Sequence, residues 1–227
     1  PWAVLAITFT NKAAREIKER LAKALDDATA ADAVWAGTFH SVCIRILRSH
    51  IGLLGYKSGF SIYDTDDQKK LIVRCMKDLN LDDKKFPPKS MLNLIGRAKD
   101  KLMTPADMQA ENTADYLWSV AAKVYARYQE ELARANALDF DDIIMLTVRL
   151  LEENPDILDY YQHKFKYVCV DEYQDTNFAQ FRLTELLAGH WRNIMVVGDD
   201  DQSIYKFRGA TIENILNFDR TYPDAKV

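Results

Sequence analysis

Val168-Cys169-Val170-Asp171-Glu172-Tyr173-Gln174-Asp175 decides how the rest of the chain is read: a short apolar run that ends in two adjacent acids. A strand of this kind delivers its carboxylates to the carboxyl edge of a parallel sheet, the edge at which open α/β folds bind ligands. That arrangement suits Mg-nucleotide chemistry. Asp171 would hold magnesium, directly or through water, and Glu172 would orient and polarise the attacking water, the two tasks that hydrolysis of a γ-phosphate sets. Taken alone, such a pair also reads as an acidic strand-to-loop turn with no chemistry, so the neighbouring sequence has to decide.

Downstream, Met195-Val196-Val197-Gly198-Asp199-Asp200-Asp201-Gln202-Ser203-Ile204-Tyr205-Lys206-Phe207-Arg208-Gly209-Ala210 is a second apolar strand running into an acidic loop. Gln202 is placed to hydrogen-bond a terminal phosphate, Tyr205 and Phe207 offer faces on which bases stack, and Arg208 offers a phosphate contact. The plainer reading is a solvated acidic turn followed by a packing aromatic, with Phe207 in the core.

Upstream, residues 3–9 read as a buried strand, and Thr10 or Asn11 can cap the segment that follows. Ala13, Ala14, Ile17, Leu21 and Leu25 recur at helical spacing, with Lys12, Arg15, Lys18 and Lys23 on other faces. A second short strand is expected over 33–37, and Thr38 precedes another amphipathic helix. From 53 to 134 strand signals nearly vanish. Leu71, Ile72, Cys75, Met76 and Leu79 form one helical stripe, Met91, Leu92, Ile95 and Ala98 a second, and Tyr116, Val120, Val124, Tyr128 and Leu132 a third. Strands return at 167–170 and 193–197. The alternation argues for a parallel α/β sheet, with the helical region inserted between its second and third strands.

Composition narrows the function classes. The 227 residues carry Lys+Arg 30 against Asp+Glu 34, a formal net charge of −4, so phosphate binding has to come from local clusters and not from a globally basic surface. With 48% hydrophobic residues the chain can fill a sizeable core, and no stretch approaches the roughly 18 unbroken apolar residues of a membrane span. Cys43, Cys75 and Cys169 form no CxxC pair, which encodes neither a structural zinc nor a disulfide scaffold and fits a reducing, cytoplasmic setting. Pro1-Trp2-Ala3 begins directly on an apolar run, and Tyr222-Pro223-Asp224 feeds a further turn, so the sequence is expected to be cut from something longer.

With these stretches in place, the chain resembles the UvrD/PcrA/Rep-like superfamily I DNA helicases. Residues 6–14, Ala-Ile-Thr-Phe-Thr-Asn-Lys-Ala-Ala, look like the family's motif Ia, and Gly37-Thr38-Phe39-His40-Ser41 like motif Ib. Residues 138–143 resemble the segment that re-enters the ATPase domain after a helical insert, residues 170–177 are similar to motif II, and residues 198–210 to motif III. The resemblance implies an α/β, parallel-sheet RecA-like (P-loop NTPase) fold with an inserted all-helical subdomain. The parts would be 1–55 and 137–227 for the ATPase domain and 56–136 for the insert. It implies ATP and Mg2+ as cofactors, Asp171 as metal ligand, Glu172 as catalytic base and Gln202 as phosphate sensor. Phe9, Thr10, Asn11, Thr38, Phe39 and His40 would lie along a single-stranded DNA path, with Tyr205, Phe207 and Arg208 linking that path to the nucleotide. If one loop touches both γ-phosphate and base, loss of the phosphate shifts the loop and with it the grip on DNA.

The resemblance therefore implies a motor that couples ATP hydrolysis to 3′ to 5′ movement on single-stranded DNA, acting at single/double-strand junctions in repair or replication, with no membrane role. Two departures qualify it. Phe207 stands where the family usually has Trp, and no window satisfies the phosphate-binding GxxxxGK[ST] pattern, the nearest being Gly55-Tyr56-Lys57-Ser58. The chain alone is accordingly expected to be inactive as an ATPase. Individual residues keep plainer readings: His40 as a locally satisfied helix-start histidine, Phe9 and Phe39 as core, Arg15 and Lys18 as a solvated face, Asp141 and Asp142 as helix-orienting acids. Alternatives for the whole are a non-catalytic single-strand-binding module that uses Phe9, Phe39, Tyr205 and Phe207 as stacking platforms, and the helicase part of a helicase-nuclease.

Overall fold

The computed structural model describes residues 1–111, 115–199, 213–216 and 218–226. In chain order, β1 spans Val4–Thr8, α1 Asn11–Leu25, α2 Ala28–Ala33, β2 Trp35–Thr38 and α3 Phe39–His50. Then come β3 Ser61–Ile62, α4 Thr65–Asp78, α5 Pro88–Asp100, α6 Pro105–Ala110, α7 Tyr116–Arg134 and β4 Ala137–Leu138. The remainder is α8 Phe140–Glu153, α9 Pro155–Lys164, β5 Tyr167–Val170, α10 Phe178–Ala188, β6 Ile194–Val196, α11 Glu213–Leu216 and α12 Phe218–Thr221. Two compact units emerge, Pro1–Ile46 with Thr147–Val227, and Leu47–Leu146. The points of division fall inside α3 and α8.

The first unit is built on a four-stranded, all-parallel sheet in the order β2-β1-β5-β6. The inner strand β1 is buried on both faces and shows no polar alternation, whereas β6 leaves Met195 exposed and β5 leaves Tyr167 exposed. Leu5, Ile7, Val168 and Val170 are buried, as are Val42, Cys43, Ile46, Leu151, Leu183 and Leu187 from the helices and Phe165 just after α9. Burial drives the Cys43 thiol up to about 12, so it behaves as a packing residue and not as a nucleophile. At the β2 edge, Trp35 lies beneath Arg45, 3.5 Å from its ring centroid, and edge-on to Phe165 at 5.0 Å.

The second unit packs α4, α5, α6 and α7 around Ile72, Cys75, Met91, Ile95, Val124, Tyr128 and Leu132. Helix starts follow local chemistry: Asp64 and Asp115 accept backbone N–H bonds ahead of α4 and α7, Pro88 opens α5, and Thr104 with Asp107 forms a capping box at α6. The expected stripes face this core with two exceptions at helix ends, where Leu79 is 37% and Tyr116 65% exposed. The region is not all-helical: β3 pairs in parallel with β4, Ser61 opposite Ala137 and Ile62 opposite Leu138. Two-residue strands are too short to carry a period, so hydrophobic patterning passes over them.

A buried ion cluster ties α5 and α7 to the start of α8. The Lys99 Nζ lies 2.7 Å from Asp139 and 2.8 Å from Asp142, and Gln129 donates to Asp142 at 3.0 Å. Asp139 and Asp142 also accept each other's backbone N–H, the reciprocal geometry of a helix cap. Burial and the Asp139 charge push the Asp142 carboxyl up to about 7, while the two carboxylates hold Lys99 well above its ordinary value. Removing the ammonium leaves two buried carboxyls facing one another. We expect Lys99→Met to lower the unfolding free energy by about 3–5 kcal/mol, read as a shifted urea midpoint by circular dichroism; an unchanged midpoint would show that the cluster is dispensable.

Candidate functional site

Because the four strands run in one direction, their carboxyl ends open on one edge of the sheet. Thr8 pairs with Thr38, Ile7 with Val170, and Val170 with Val196. The register therefore brings Phe9-Thr10-Asn11, Phe39-His40, Asp171-Glu172 and Val197-Gly198-Asp199 to that edge.

The acidic pair leaves β5 through a tight turn. The Asp171 N–H donates to the Ile7 carbonyl at 2.9 Å and the Tyr173 N–H to the Val197 carbonyl at 2.9 Å, towards opposite neighbours of the central strand. Between them Glu172 takes φ 53°, ψ 40°, a left-handed conformation that a non-glycine residue adopts at a cost of about 1–2 kcal/mol. Asp171 is half-buried, and its Oδ1 accepts the Glu172 N–H at 3.0 Å. Glu172 is exposed, and its Oε2 accepts a bond of 2.7 Å from the Gln174 side chain. After a short 3-10 turn, Asn177 and Gln180 form the capping box that starts α10 beneath the pair.

On the β1 and β2 side, Thr10 caps α1 by accepting from the Ala13 N–H at 3.1 Å, and Thr38 caps α3 by accepting from Ser41 at 3.2 Å. Phe9 and Phe39 meet edge to face with centroids 5.5 Å apart. Phe39 is 1% exposed and so supports the half-buried Phe9 without presenting a face of its own, and His40 is half-buried in the first turn of α3. A concavity of about 400 Å³ opens beside them, lined by Asn11, Ala14, Arg15, Lys18, Ala36, Gly37 and Ser41. Arg15 and Lys18 thus share a wall with Asn11, although helical spacing alone makes them an ordinary solvated face; Lys18 also lies 3.9 Å from Asp32.

Gln202, Tyr205, Phe207 and Arg208 fall outside the described residues. Three residues without a role in the sequence reading belong to the site: Gln174, Gly198 and Asn214. The Asn214 Nδ2 donates to the Thr176 carbonyl and hydroxyl, both at 3.0 Å, fastening α11 to the turn below Glu172. A glutamine two residues after an acidic pair, and a glycine closing the next strand, are the only sequence signals for the first two. Among the described residues no group of three or more His, Cys, Asp or Glu side chains is arranged to hold a metal, and no helix is long and apolar enough to cross a membrane.

Comparison with known proteins gives this edge a context. Residues 1–223 match the UvrD/REP helicase N-terminal domain. The chain is 52% identical over 225 residues to the ATP-dependent DNA helicase PcrA of Staphylococcus aureus (strain Mu50 / ATCC 700699), covering 99% of the chain and 30% of that relative. It is 50% identical over 227 residues to the protein of the same name from Bacillus subtilis (strain 168), covering 100% of the chain and 30% of the relative. The chain thus spans about 30% of the length of these curated relatives.

Gly198 marks a tight approach beside the acidic pair. A Cβ there would stand 2.5 Å from the Gln174 Oε1 and 2.6 Å from the Ile215 Cδ1. We expect Gly198→Ala to destabilise the first unit by about 1–3 kcal/mol through this overpacking, measured by denaturant unfolding; a native midpoint would show that the turn gives way freely.

Proposed function

The chain belongs to the UvrD/REP helicase family, and from that premise we propose that it is part of an ATP-dependent DNA helicase that couples Mg-ATP hydrolysis to 3′ to 5′ movement on single-stranded DNA in repair or replication. The observation that carries the proposal is the shared edge. The carboxylates suited to γ-phosphate hydrolysis and the residues proposed to line the DNA path leave parallel strands at the same end of one sheet.

The donor chemistry fits the cofactor. Magnesium takes hard oxygen ligands and commonly accepts one or two carboxylates while keeping waters and substrate phosphates. Asp171 supplies one such carboxylate, half-buried and held in place by the Glu172 N–H. When bound, Mg-ATP would supply the phosphoryl group and its charge neutralisation. The protein's part is then positional: Asp171 holds the metal, Glu172 orients and deprotonates a water at its carboxylate, and Gln202 senses the terminal phosphate.

Phe9, Thr10, Asn11, Thr38 and His40 would form the floor of the DNA path, with the buried Phe39 backing Phe9 from within, and Tyr205, Phe207 and Arg208 would link the path to the nucleotide. Arg15 and Lys18 in the adjoining concavity offer cationic contacts for backbone phosphates. Burial of Phe39 argues against the rival reading of a passive single-strand binder, which needs its ring as a stacking platform. The helical region that contributes α4 to α7 would be the insert of the ATPase domain. The 227 residues hold no GxxxxGK[ST] loop, and on their own we propose that they hydrolyse ATP at no appreciable rate.

The test is Glu172→Gln in the full-length protein that contains this chain. Turnover should fall by about a thousandfold or more while nucleotide affinity is retained, as loss of a water-activating group requires. Retained turnover would remove Glu172 from the role.

A further inference from the structure

Gln174 lies beside the acidic pair, fully buried, with both ends of its side-chain amide engaged. Its Oε1 accepts the backbone N–H of Asp199 at 3.1 Å, and its Nε2 donates to the Glu172 Oε2 at 2.7 Å. These partners fix the amide orientation. A backbone N–H can only donate and an ionised carboxylate can only accept, so a flipped amide would place two donors together at Asp199 and two acceptors together at Glu172. The seat is close-fitting as well, since a Cβ at Gly198 would stand 2.5 Å from the Gln174 Oε1.

We propose that Gln174 is a positioning residue that ties the Glu172 carboxylate to the backbone leaving β6, so that carboxylate and backbone are held in one geometry. Glu172 is exposed and sits in a strained left-handed turn, so little else among the described contacts of its side chain selects a rotamer. The backbone it is tied to opens the segment that carries Gln202 and the proposed nucleotide-to-DNA link. A shift at Asp199 would therefore be felt at Glu172, and the reverse, through one buried amide. Asn214 holds α11 to Thr176, so the far end of the same segment is anchored to the same turn. The inference rests on the proposed hydrolytic role of Glu172 for its consequence, but not for the contact itself.

Two measurements on the full-length protein separate these. The first is a cycle of thermal midpoints. Gln174→Glu sets a carboxylate against Glu172 and should lower the midpoint; in a Glu172→Gln background the donor and acceptor are exchanged, and the loss should become markedly smaller. Additive midpoints would overturn the contact. The second is steady-state kinetics of Gln174→Met, which keeps the length and volume and loses both amide bonds. We expect kcat to fall by about tenfold or more with KM for ATP within about twofold, and stimulation by single-stranded DNA to fall with it, as the loss of a charge-assisted hydrogen bond at a positioned catalytic group implies. Native kcat and native DNA stimulation in a folded Gln174→Met protein would overturn the positioning role, as would losses that merely follow the midpoint. A parent protein with no ATP turnover at all would defeat the hydrolytic reading, and the midpoint cycle would still decide whether Gln174 couples the two strand ends.

Discussion

The structure turns on how the backbone of the central strand β5 is satisfied where it ends. Asp171 donates to β1 through Ile7, Val197 donates back to Val170, and Tyr173 donates to Val197, so consecutive residues of one turn are claimed by strands on opposite sides. Buried amides seldom go unpaired. Meeting these bonds leaves Glu172 in the left-handed region, and that geometry lifts its carboxylate clear of the sheet while Asp171 remains half-buried beside it. Two adjacent acids, chemically almost alike, thereby acquire different environments and different partners, which is the requirement for giving them different tasks.

The turn below the pair is buried and densely bonded. Tyr173, Gln174, Asp175, Thr176 and Asn177 are all shielded from solvent, Thr176 donates to the Tyr173 carbonyl at 2.7 Å, and Asn177 with Gln180 starts α10. Polar residues tolerate such burial only when hydrogen-bonded. Here the bonds reach the catalytic candidate on one side and the chain after β6 on the other, so a rigid base underlies an exposed carboxylate. The second unit uses a parallel device, in which Lys99, Asp139 and Asp142 fix the start of α8 from within the core.

Much of the first unit was legible because its strands announce themselves as compact apolar runs closed by polar residues, β1 most clearly since it is buried on both faces. The acidic pair could be placed at the sheet edge for the same reason: a strand that ends in Asp171-Glu172 and runs parallel to its neighbours leaves its carboxylates nowhere else to go. What escaped the sequence was either short or long-range. The β3 and β4 strands, two residues each, have no periodicity, and α2 is a single Ala-rich run, Ala28–Ala33, without an amphipathic stripe long enough to register. The Lys99 cluster joins residues 40 and more positions apart, and nothing local marks Lys99 as buried. Gln174 was visible as a letter, but its meaning lies in an amide that reaches the backbone of Asp199, 25 residues on. For Phe39 the sequence leaves a DNA-facing and a core reading side by side, and its ring is buried in the core against Phe9.

The central claim is that one edge of one parallel sheet carries both the hydrolytic carboxylates and the DNA path, and that the two are coupled. The most direct measurement is ATP turnover by the full-length protein as single-stranded DNA is added. The account predicts a low basal rate that rises steeply and saturably with DNA, and that disappears with and without DNA in Asp171→Asn. Tight binding of single-stranded DNA with no turnover, or turnover indifferent to DNA, would contradict it and return Asp171 and Glu172 to the status of an acidic turn.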